Sequence, residues 1–513
     1  MTKIRSASAT ASTMGGVLLT TACSLLVLLP AKVPAADRAR RKEADPSVQR
    51  QLDEMQRTIE EQRRDIDQLR DQLRQQNTPA PAPTVQPAQV PPTDVPAALR
   101  QPEASGASHP VALSTDMGPF QVGYDKGFVI QPIDAQKTPF KLRITGRMQF
   151  RYTFFDRDER RYTDNAGVVH DIDDRSDFEI ERGRLTFDGF ALTPKLGYYI
   201  NLDFDTDDEH NAIIHDFWIS YIISDAFIVH AGKAFVPGSR EWLMGSTTTR
   251  FADRSMATTF FRPDRSIGVW LIGEPLTGVY YRTMLANGFN TTDLTVDDVD
   301  TNFAWASSAW WDVFDNFGSG WSDLEGHKEV AIQTGLSFTL SSQEGRDGSG
   351  QPRAEDNFAR LSDGTRLVSE GALAPGVTVD KFDLYLLSAD FATKYRGFSL
   401  NGEYYFRWIE DLEGDGPLPL DGFFDHGFYL EGGYMIIARY VELNARLSQI
   451  YGRFGDRGAE YTGGVNWFIN GAHNLKLTLD VGSVKHSPTQ NSAPGYRVGD
   501  DGVMMRTQVQ VGF

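Results

Sequence analysis

Met504-Met-Arg-Thr-Gln-Val-Gln-Val-Gly-Phe513 is the stretch that decides how the chain folds. Phe513, Val511 and Val509 alternate with positions that hold glycine and two glutamines, so one face is apolar and the other is polar. Strict period-two alternation predicts a β-strand. A strand of this type that stops on an aromatic residue is typical of a barrel wall between lipid and a wet interior, although a soluble edge strand has nearly the same pattern. Repetition of the pattern earlier in the chain decides between the two.

The same alternation begins at Phe140 and continues through most of the chain. Arg143, Arg147 and Arg151 lie on one face of this first strand, and large apolar residues lie on the other. The pattern recurs at residues 196–205, 330–340, 400–408, 441–447 and 461–469. Between residues 178 and 187 the parity slips, and a β-bulge would restore it. Counting through the connections gives about sixteen strands, of which the eighth, near residues 303–311, has the weakest pattern.

Short turns and long polar loops alternate along the chain. Turns such as 192–195 and 394–397 are separated by loops such as 234–265 and 341–378. Short turns at one end and long loops at the other are typical of outer-membrane barrels, and a sandwich has no reason to segregate them. The sequence therefore predicts an all-β fold, a 16-stranded antiparallel transmembrane β-barrel whose first and last strands both open on the periplasmic side.

Composition agrees with this fold and excludes other classes of protein. The 513 residues include 47 glycines and 12% aromatic residues, and aromatic girdles mark the two lipid interfaces of membrane barrels. No apolar run beyond the N-terminal region approaches the ~20 residues that a spanning helix needs. The formal charge of -18 argues against a nucleic-acid partner, whereas the selectivity of a pore depends on local charge.

Three segments are predicted before the barrel. Residues 1–36 have the basic, apolar and small-residue regions of a secretory signal peptide and contain the single cysteine, Cys23. Residues 37–76 contain apolar heptads that predict a short periplasmic coiled-coil helix, with a lone solvated helix as the alternative. Residues 77–126 form a Pro-rich linker and pre-barrel segment, and residues 127–513 form the barrel domain.

Five motifs, in a fixed order along the proposed barrel, carry a resemblance to a known family. They are Gly127-Phe128 followed by Phe140-Lys-Leu-Arg-Ile-Thr-Gly146-Arg-Met-Gln149; Phe178-Glu-Ile-Glu-Arg-Gly-Arg-Leu-Thr-Phe-Asp-Gly189; Gly232-Lys-Ala-Phe-Val-Pro237; Arg265-Ser-Ile-Gly268; and Gly463-Gly-Val-Asn-Trp-Phe468. The chain resembles the phosphate-selective porin O and P family. This resemblance implies a usually trimeric outer-membrane channel with an inward-folded third loop and with arginines or lysines that guide anions.

The third external loop, residues 234–265, is locally basic in an acidic chain. Together with the first strand it supplies the pore-lining, anion-guiding candidates: Arg143, Arg147, Arg151, Arg240, Arg250, Arg254, Arg262 and Arg265. Arginines at a constriction replace the water around an anion with fixed donors and positive potential. The alternative is that they are ordinary salt-bridge partners. Acids with lumen parity, among them Asp203, Glu403, Glu431 and Glu442, argue against a uniformly basic lumen.

No pattern in the chain predicts an enzyme, a cofactor or a metal site. The acidic run from Asp203 to Glu209 lacks the glycine turn and the terminal glutamate of a calcium loop. We predict a passive channel for small hydrophilic solutes, with anions or phosphate as one option for the preferred class, that lies in outer-membrane lipid as a homotrimer with its N-terminal stalk in the periplasm. The alternative is a structural protein that tethers the membrane to the cell wall through the coiled coil. Phe513, Val511 and Val509 are the predicted barrel assembly signal.

Overall fold

The computed structural model describes residues 118–206, 212–288, 300, 302–314, 316–344, 359–491 and 493–513. The predicted signal peptide, coiled coil and proline-rich stretch lie outside these residues. Within the described part of the chain, no helix is both long enough and apolar enough to cross a membrane.

Twenty strands and two short helices make up the described chain. In chain order they are β1 (Phe120–Tyr124), β2 (Phe128–Pro132), β3 (Phe140–Arg157), β4 (Arg161–Thr163), β5 (Val169–Asp171), β6 (Arg175–Ala191), β7 (Leu196–Asp203), β8 (Ile213–Ser224), β9 (Phe227–Phe235), α1 (Arg240–Leu243), α2 (Met256–Phe261), β10 (Arg265–Leu276), β11 (Val279–Ala286), β12 (Ala304–Asp312), β13 (Ala331–Glu344), β14 (Val379–Tyr395), β15 (Phe398–Gly414), β16 (Phe423–Ile437), β17 (Val441–Tyr451), β18 (Gly458–Phe468), β19 (Leu475–Lys485) and β20 (Gly502–Gly512).

Strand β3 and strands β6 to β20 form a closed barrel of sixteen antiparallel strands, so the predicted fold and strand count are confirmed. Each strand pairs with the next along the chain, and β20 pairs with β3 to close the wall. The eighth barrel strand is β12 at Ala304–Asp312, which is where the sequence pattern was weakest. Strands β4 and β5 form a separate hairpin in the loop between β3 and β6.

Alternation of side chains gives the barrel an apolar outer surface and a polar inner surface. In β20, Val503, Val509 and Val511 face outward and are 37–48% exposed, whereas Arg506 and Gln508 face the lumen and are buried. An apolar outer face removes the cost of placing polar groups in lipid, and closure removes the unpaired strand edges. The lumen can therefore hold charged groups without contact with the membrane.

Register between β3 and β6 shifts at Gln149 and Phe150, whose partners are Arg182 and Ile180. The extra residue is Glu181, so Glu181 and Arg182 are both buried on the lumen side. The bulge predicted from the parity slip is therefore confirmed, and it adds a charged side chain to the inner face.

One end of the barrel carries short turns and both ends of the barrel segment, and we assign it to the periplasm. Residues 313–330, between β12 and β13, are a long exception at this end. Phe317 and Trp321 of this segment are buried, and the Nζ of Lys394 donates to the Phe317 carbonyl at 3.0 Å. The segment thus folds back into the lumen from the periplasmic end, which the sequence did not predict.

The barrel closes on its terminal aromatic residue. The backbone N–H of Phe513 donates to the Gly146 carbonyl at 2.9 Å, and the Gly146 N–H donates to the Phe513 carbonyl at 3.0 Å. A Cβ at Gly146 would lie 2.4 Å from the Phe513 ring, so any other residue at this position would require the ring to shift. Beyond Phe513, the hairpin β1–β2 pairs with the first part of β3 through Phe128 and Ile144 and extends the wall at the periplasmic end.

Candidate pore constriction

The connection between β9 and β10 folds into the lumen and forms the inward loop, residues 236–264. Most of its residues are buried inside the barrel. Two serines begin its helices: the Ser239 hydroxyl accepts from the Trp242 N–H at α1, and the Ser255 hydroxyl accepts from the Thr258 N–H at α2. These caps satisfy backbone donors that a short helix leaves without an intrahelical partner.

Acidic side chains of the barrel wall hold this loop by its helix N-termini. The Glu403 carboxylate accepts from the Arg240 N–H at 3.0 Å and from the Glu241 N–H at 3.2 Å. The Glu460 carboxylate accepts from the Met256 N–H at 3.0 Å. Negative charge is favourable at a helix N-terminus because the free N–H groups and the helix dipole point toward it. Wall acids therefore anchor the loop against β15 and β18.

Arg250, at the tip of the loop, is fully buried. Its guanidinium lies 3.2 Å from the Glu442 carboxylate and 3.5 Å from Glu431, and it donates to the Asn401 side chain at 2.7 Å. It also donates to the Trp321 carbonyl at 3.0 Å, which joins the loop to the periplasmic segment. Arg250 is thus an internal clamp on the β15–β17 side of the lumen.

Apolar contacts also hold the inward loop against this part of the barrel wall. Phe260 and Phe261 of α2 pack in one cluster with Leu384, Leu386 and Tyr405 of the wall. The rings of Phe261 and Tyr405 are stacked with centroids 5.2 Å apart. Water is therefore excluded between the inward loop and strands β14 to β16, and the open space lies on the opposite side of the loop.

A cavity of about 490 Å³ lies between the inward loop and the wall of β3 and β6 to β9. Six arginines line it: Arg147, Arg182, Arg184, Arg254, Arg262 and Arg265. Acidic residues also line it: Glu181, Asp203, Asp205, Asp216 and Asp264. We call this cavity with its charged lining the constriction.

Most of the constriction arginines are paired. Arg184 lies 2.6 Å from Asp203, and Arg265 lies 3.0 Å from Asp216. Arg262 lies 3.2 Å from Asp264, with its guanidinium 4.0 Å from the centre of a tryptophan ring in the loop. These pairs fix the guanidinium groups in place and offset much of their charge.

Two arginines of the constriction have no carboxylate partner among the described residues. Arg254 donates to the backbone carbonyls of Glu241 and Met244. The Arg147 guanidinium makes no hydrogen bond or ion pair with a side chain or carbonyl of the described residues, and its electrostatic neighbours include Arg182 and Arg184 as well as Asp203. The local balance at the constriction is therefore positive, although the whole chain is acidic.

Asp253 of the inward loop is the acid that ties the loop to the arginine-rich wall. It lies 2.8 Å from Arg182 and 3.1 Å from Arg151. Burial alone would raise its pKa, but these two guanidinium groups hold the pKa of Asp253 well below its usual range. Asp253 therefore stays ionised and positions Arg182 at the edge of the cavity.

The structure divides the eight arginines singled out in the sequence into two groups. Arg147, Arg254, Arg262 and Arg265 line the constriction. The other four are not among the lining residues and make these contacts: Arg143 with Asp188, Arg151 with Glu181 and Asp253, Arg240 with Gln333 and the Trp310 ring, and Arg250 with Glu442 and Glu431.

Sequence reasoning missed two of the lining arginines, Arg182 and Arg184. The signal was present, because the predicted bulge makes the inward positions of β6 run through Arg182 and Arg184 while Phe178 stays outside. The predicted assembly residues Val509 and Val511 lie in the outer face of the closing strand, and Phe513 follows directly.

Asp323, Glu325 and His327 lie close together in the periplasmic segment, with one ligand atom of each within 4.8 Å of the others. The Asp323 carboxylate already accepts from the Gly397 N–H at 2.7 Å and from the His327 ring at 2.6 Å. These contacts explain the cluster, because they hold the periplasmic segment in place.

A closed barrel with an inward loop and a charged constriction defines a channel protein of the outer membrane. The sequence model described as phosphate-selective porin O and P matches residues 145–295, so the resemblance is confirmed over that part of the chain. No curated protein sequence matches the chain.

Solved porin structures are similar to this chain at low identity. They include the anion-selective porin from Comamonas acidovorans, at 12% identity over 72% of this chain and 99% of that chain, with a TM-score of 0.47. They also include the outer membrane channel DcaP of Acinetobacter baumannii, at 11% identity over 73% and 97% of the two chains, with a TM-score of 0.45. Outer-membrane expressed OmpT of Vibrio cholerae matches at 9% identity over 75% and 99%, with a TM-score of 0.45.

Proposed function

We propose that this protein is a passive outer-membrane channel for small hydrophilic solutes with a preference for anions. The observation that carries the preference is Arg147, a lumen guanidinium at the constriction with no hydrogen bond or ion pair to a described residue. An unpaired guanidinium in a narrow space offers an anion both positive potential and up to five donors. Transport of this kind follows concentration gradients and needs no reaction chemistry.

The inward loop sets the width of the path. Because wall acids and Arg250 fix the loop against β15 to β18, solutes pass along β6 to β9, where the arginines are. A second cavity of about 500 Å³, lined by Arg175, Arg497 and their neighbours, lies nearer the external end of β6 and serves as the entrance. The alternative, a structural protein that tethers the membrane to the cell wall, is not favoured, because the family match and the lumen cavity both support a channel.

Homotrimeric assembly and a periplasmic stalk are part of the proposal. The family resemblance supports the trimer, and the heptads of residues 37–76 support a coiled coil that would hold three barrels together below the membrane. The solute is proposed only as a class, small anions including phosphate.

Reversal potential in a planar bilayer under a salt gradient tests the proposal. The parent channel should favour chloride over potassium. Arg147→Gln should lower the chloride-to-potassium permeability ratio about 16-fold, because a unit charge acting at ~5 Å in water-like dielectric contributes about 0.8 kcal/mol in favour of chloride and about the same against potassium. The effect should shrink as salt is raised, since screening shortens the reach of the charge.

Arg143→Gln is the matched control. It removes the same charge from the same face of β3, but Arg143 pairs with Asp188 at 3.0 Å and lies outside the constriction. The control should change the ratio less than Arg147→Gln does. A parent that prefers cations, an equal shift in both variants, or a barrel that carries no current would contradict the proposal.

A further inference from the structure

A strip of aromatic side chains lines the lumen below the constriction, toward the periplasmic turns. Its half-buried members are Tyr199 of β7, Trp218 of β8, Tyr280 of β11 and Trp310 of β12. The rings of Tyr199 and Trp218 are stacked with centroids 5.0 Å apart and planes 7° apart, and those of Tyr280 and Trp310 are 5.7 Å apart. We call these four side chains the aromatic strip.

Strand alternation places the strip inside the barrel. Phe217 and Ile219, on either side of Trp218, are 49% and 53% exposed and belong to the outer, lipid-facing surface. Trp218 therefore points to the lumen, and its packing on Tyr199, His230 and Trp270 agrees with that direction. Large flat rings on the polar side of a membrane barrel are not needed to contact lipid, so another role must explain them.

The strip rests on a second aromatic layer. His230 and Trp270 are 3% exposed, and their rings are stacked 5.1 Å apart. Neither ring nitrogen of His230 has a hydrogen-bond partner among the described residues, so this imidazole acts as a flat filler behind Trp218. Such backing restricts the rotamers of Trp218 and presents a rigid platform to the lumen.

Guanidinium groups border the strip. Arg147 lies above the strip, because its register partner is Arg184 of β6, which is opposite Asp203, four positions beyond Tyr199 on the same face of β7. Arg282 lies over the Trp270 ring at 5.4 Å, and Arg240 lies over the Trp310 ring at 4.2 Å. An anionic group and a flat ring of one solute would thus find a guanidinium and an aromatic face side by side.

We propose that the aromatic strip binds anions that carry a flat ring, the class of aromatic carboxylates to which benzoate belongs. The ring would stack on the Tyr199–Trp218 pair while the carboxylate pairs with Arg147 above it. This inference rests on the proposed channel function and adds a solute class to it. Small inorganic anions would use the same arginine without the strip.

Permeability to benzoate relative to acetate, measured from reversal potentials of their sodium salts, tests the strip. The two anions share a carboxylate and differ in the ring. Trp218→Leu should lower the benzoate-to-acetate permeability ratio on the order of fivefold, in keeping with the strength of ring stacking. Chloride selectivity should stay unchanged, because Leu keeps the charge pattern of the lumen.

Phe217→Leu is the matched control, since it removes an aromatic ring from the next position of β8 on the outer face. The ratio should equal that of the parent. Tyr199→Leu is the second test variant and replaces Trp218→Leu if that barrel does not fold, as judged by its heat-modifiable band. Arg147→Gln should lower benzoate and acetate permeability together.

Different failures separate the two proposals. An open, anion-preferring channel whose ratio is the same in the parent, Trp218→Leu and Tyr199→Leu overturns the strip and leaves the channel function in place. A parent barrel that carries no current overturns both. Trp218→Leu could also lower the gluconate-to-acetate permeability ratio as much as the benzoate-to-acetate ratio. That result would overturn the choice of aromatic carboxylates and favour a sugar acid that stacks through its apolar face.

Discussion

Glu403→Ala should release the inward loop from the barrel wall. The Glu403 carboxylate is 2% exposed and accepts from the backbone N–H groups of Arg240 and Glu241. It also accepts from the hydroxyls of Ser239 and Tyr405. The hydroxyls lie 3.1 Å from each other and can pair on their own, but the two N–H groups at the start of α1 have no intrahelical acceptor.

The cost follows from these two groups. Each buried donor left without a partner costs about 1–3 kcal/mol, so the pair costs about 2–6 kcal/mol. Asp390 offsets part of this cost, because its carboxylate is buried near Glu403 and gains when the like charge is removed. A net loss of about 2–4 kcal/mol in docking free energy raises the undocked population about 30- to 1000-fold.

Trypsin is the direct assay, because the loop contains three arginines that are not followed by proline and are 0–8% exposed when it is docked: Arg240, Arg250 and Arg254. Glu403→Ala should be cut within the loop under conditions in which the parent barrel stays intact. Single-channel conductance should rise and fluctuate, because the loop sets the width of the path. The strands should keep their pairing, so the heat-modifiable band should persist.

Glu410→Ala is the control, since Glu410 lies on the same strand and is exposed. Trypsin resistance and conductance equal to the parent in Glu403→Ala would refute the reasoning. The loop would then be held by the packing of Phe260 and Phe261 and by the Arg250 clamp alone.

Three further predictions concern closure of the barrel at Phe513, the Arg250 clamp on the inward loop, and the independence of the barrel from residues 37–102. Gly146→Ala should lower the yield of assembled barrel, because the new Cβ would lie 2.4 Å from the Phe513 ring; a normal yield on heat-modifiability gels would mean that the ring can move aside. Arg250→Ala should lower the thermal unfolding midpoint by an amount equivalent to about 3–5 kcal/mol, since Glu442 loses its buried counter-charge and Glu431 is left with Arg446, whereas the exposed Arg457→Ala should not. Deleting residues 37–102 should leave heat-modifiable barrel in the outer membrane and abolish chemical crosslinking through the stalk; loss of inserted protein would contradict an independent barrel.

The barrel could be predicted because its signal is local. Period-two alternation requires only neighbouring residues, so strand number and the bulge opposite Gln149 could be derived from the sequence. The inward course of residues 313–330 could not, because it depends on contacts of Phe317 with Lys394 and of Trp321 with Arg250, which are 77 and 71 positions apart in the chain. The hairpin β1–β2 was also missed, since its short strands take their register from β3.

The candidate site was harder to predict because parity gives the face of a side chain and not its partner. Arg250 and Arg254 lie four positions apart in the same basic loop. Arg250 meets Glu431 and Glu442, which are more than 180 positions away, and is withdrawn from the water path. Arg254 meets nearby carbonyls and the Trp242 ring of its own loop, and it lines the cavity. Only the position of the loop against the far wall separates these two residues.

The position of the inward loop against the far wall also explains how an acidic lumen is compatible with the proposed preference for anions. Glu403, Glu431, Glu442 and Glu460 have lumen parity, yet each is buried at 2% exposure or less beneath the inward loop. These carboxylates interact with the helix N-termini and with Arg250, so their charge stabilises the loop and does not act on a passing ion. On the other side of the loop Arg147 remains unpaired among the described residues. The inward loop therefore divides the lumen into an acidic side, which holds the loop, and an arginine-rich side, on which the proposed selection of solutes depends. The local charge on that side, and not the overall charge of -18, should set the sign of selectivity.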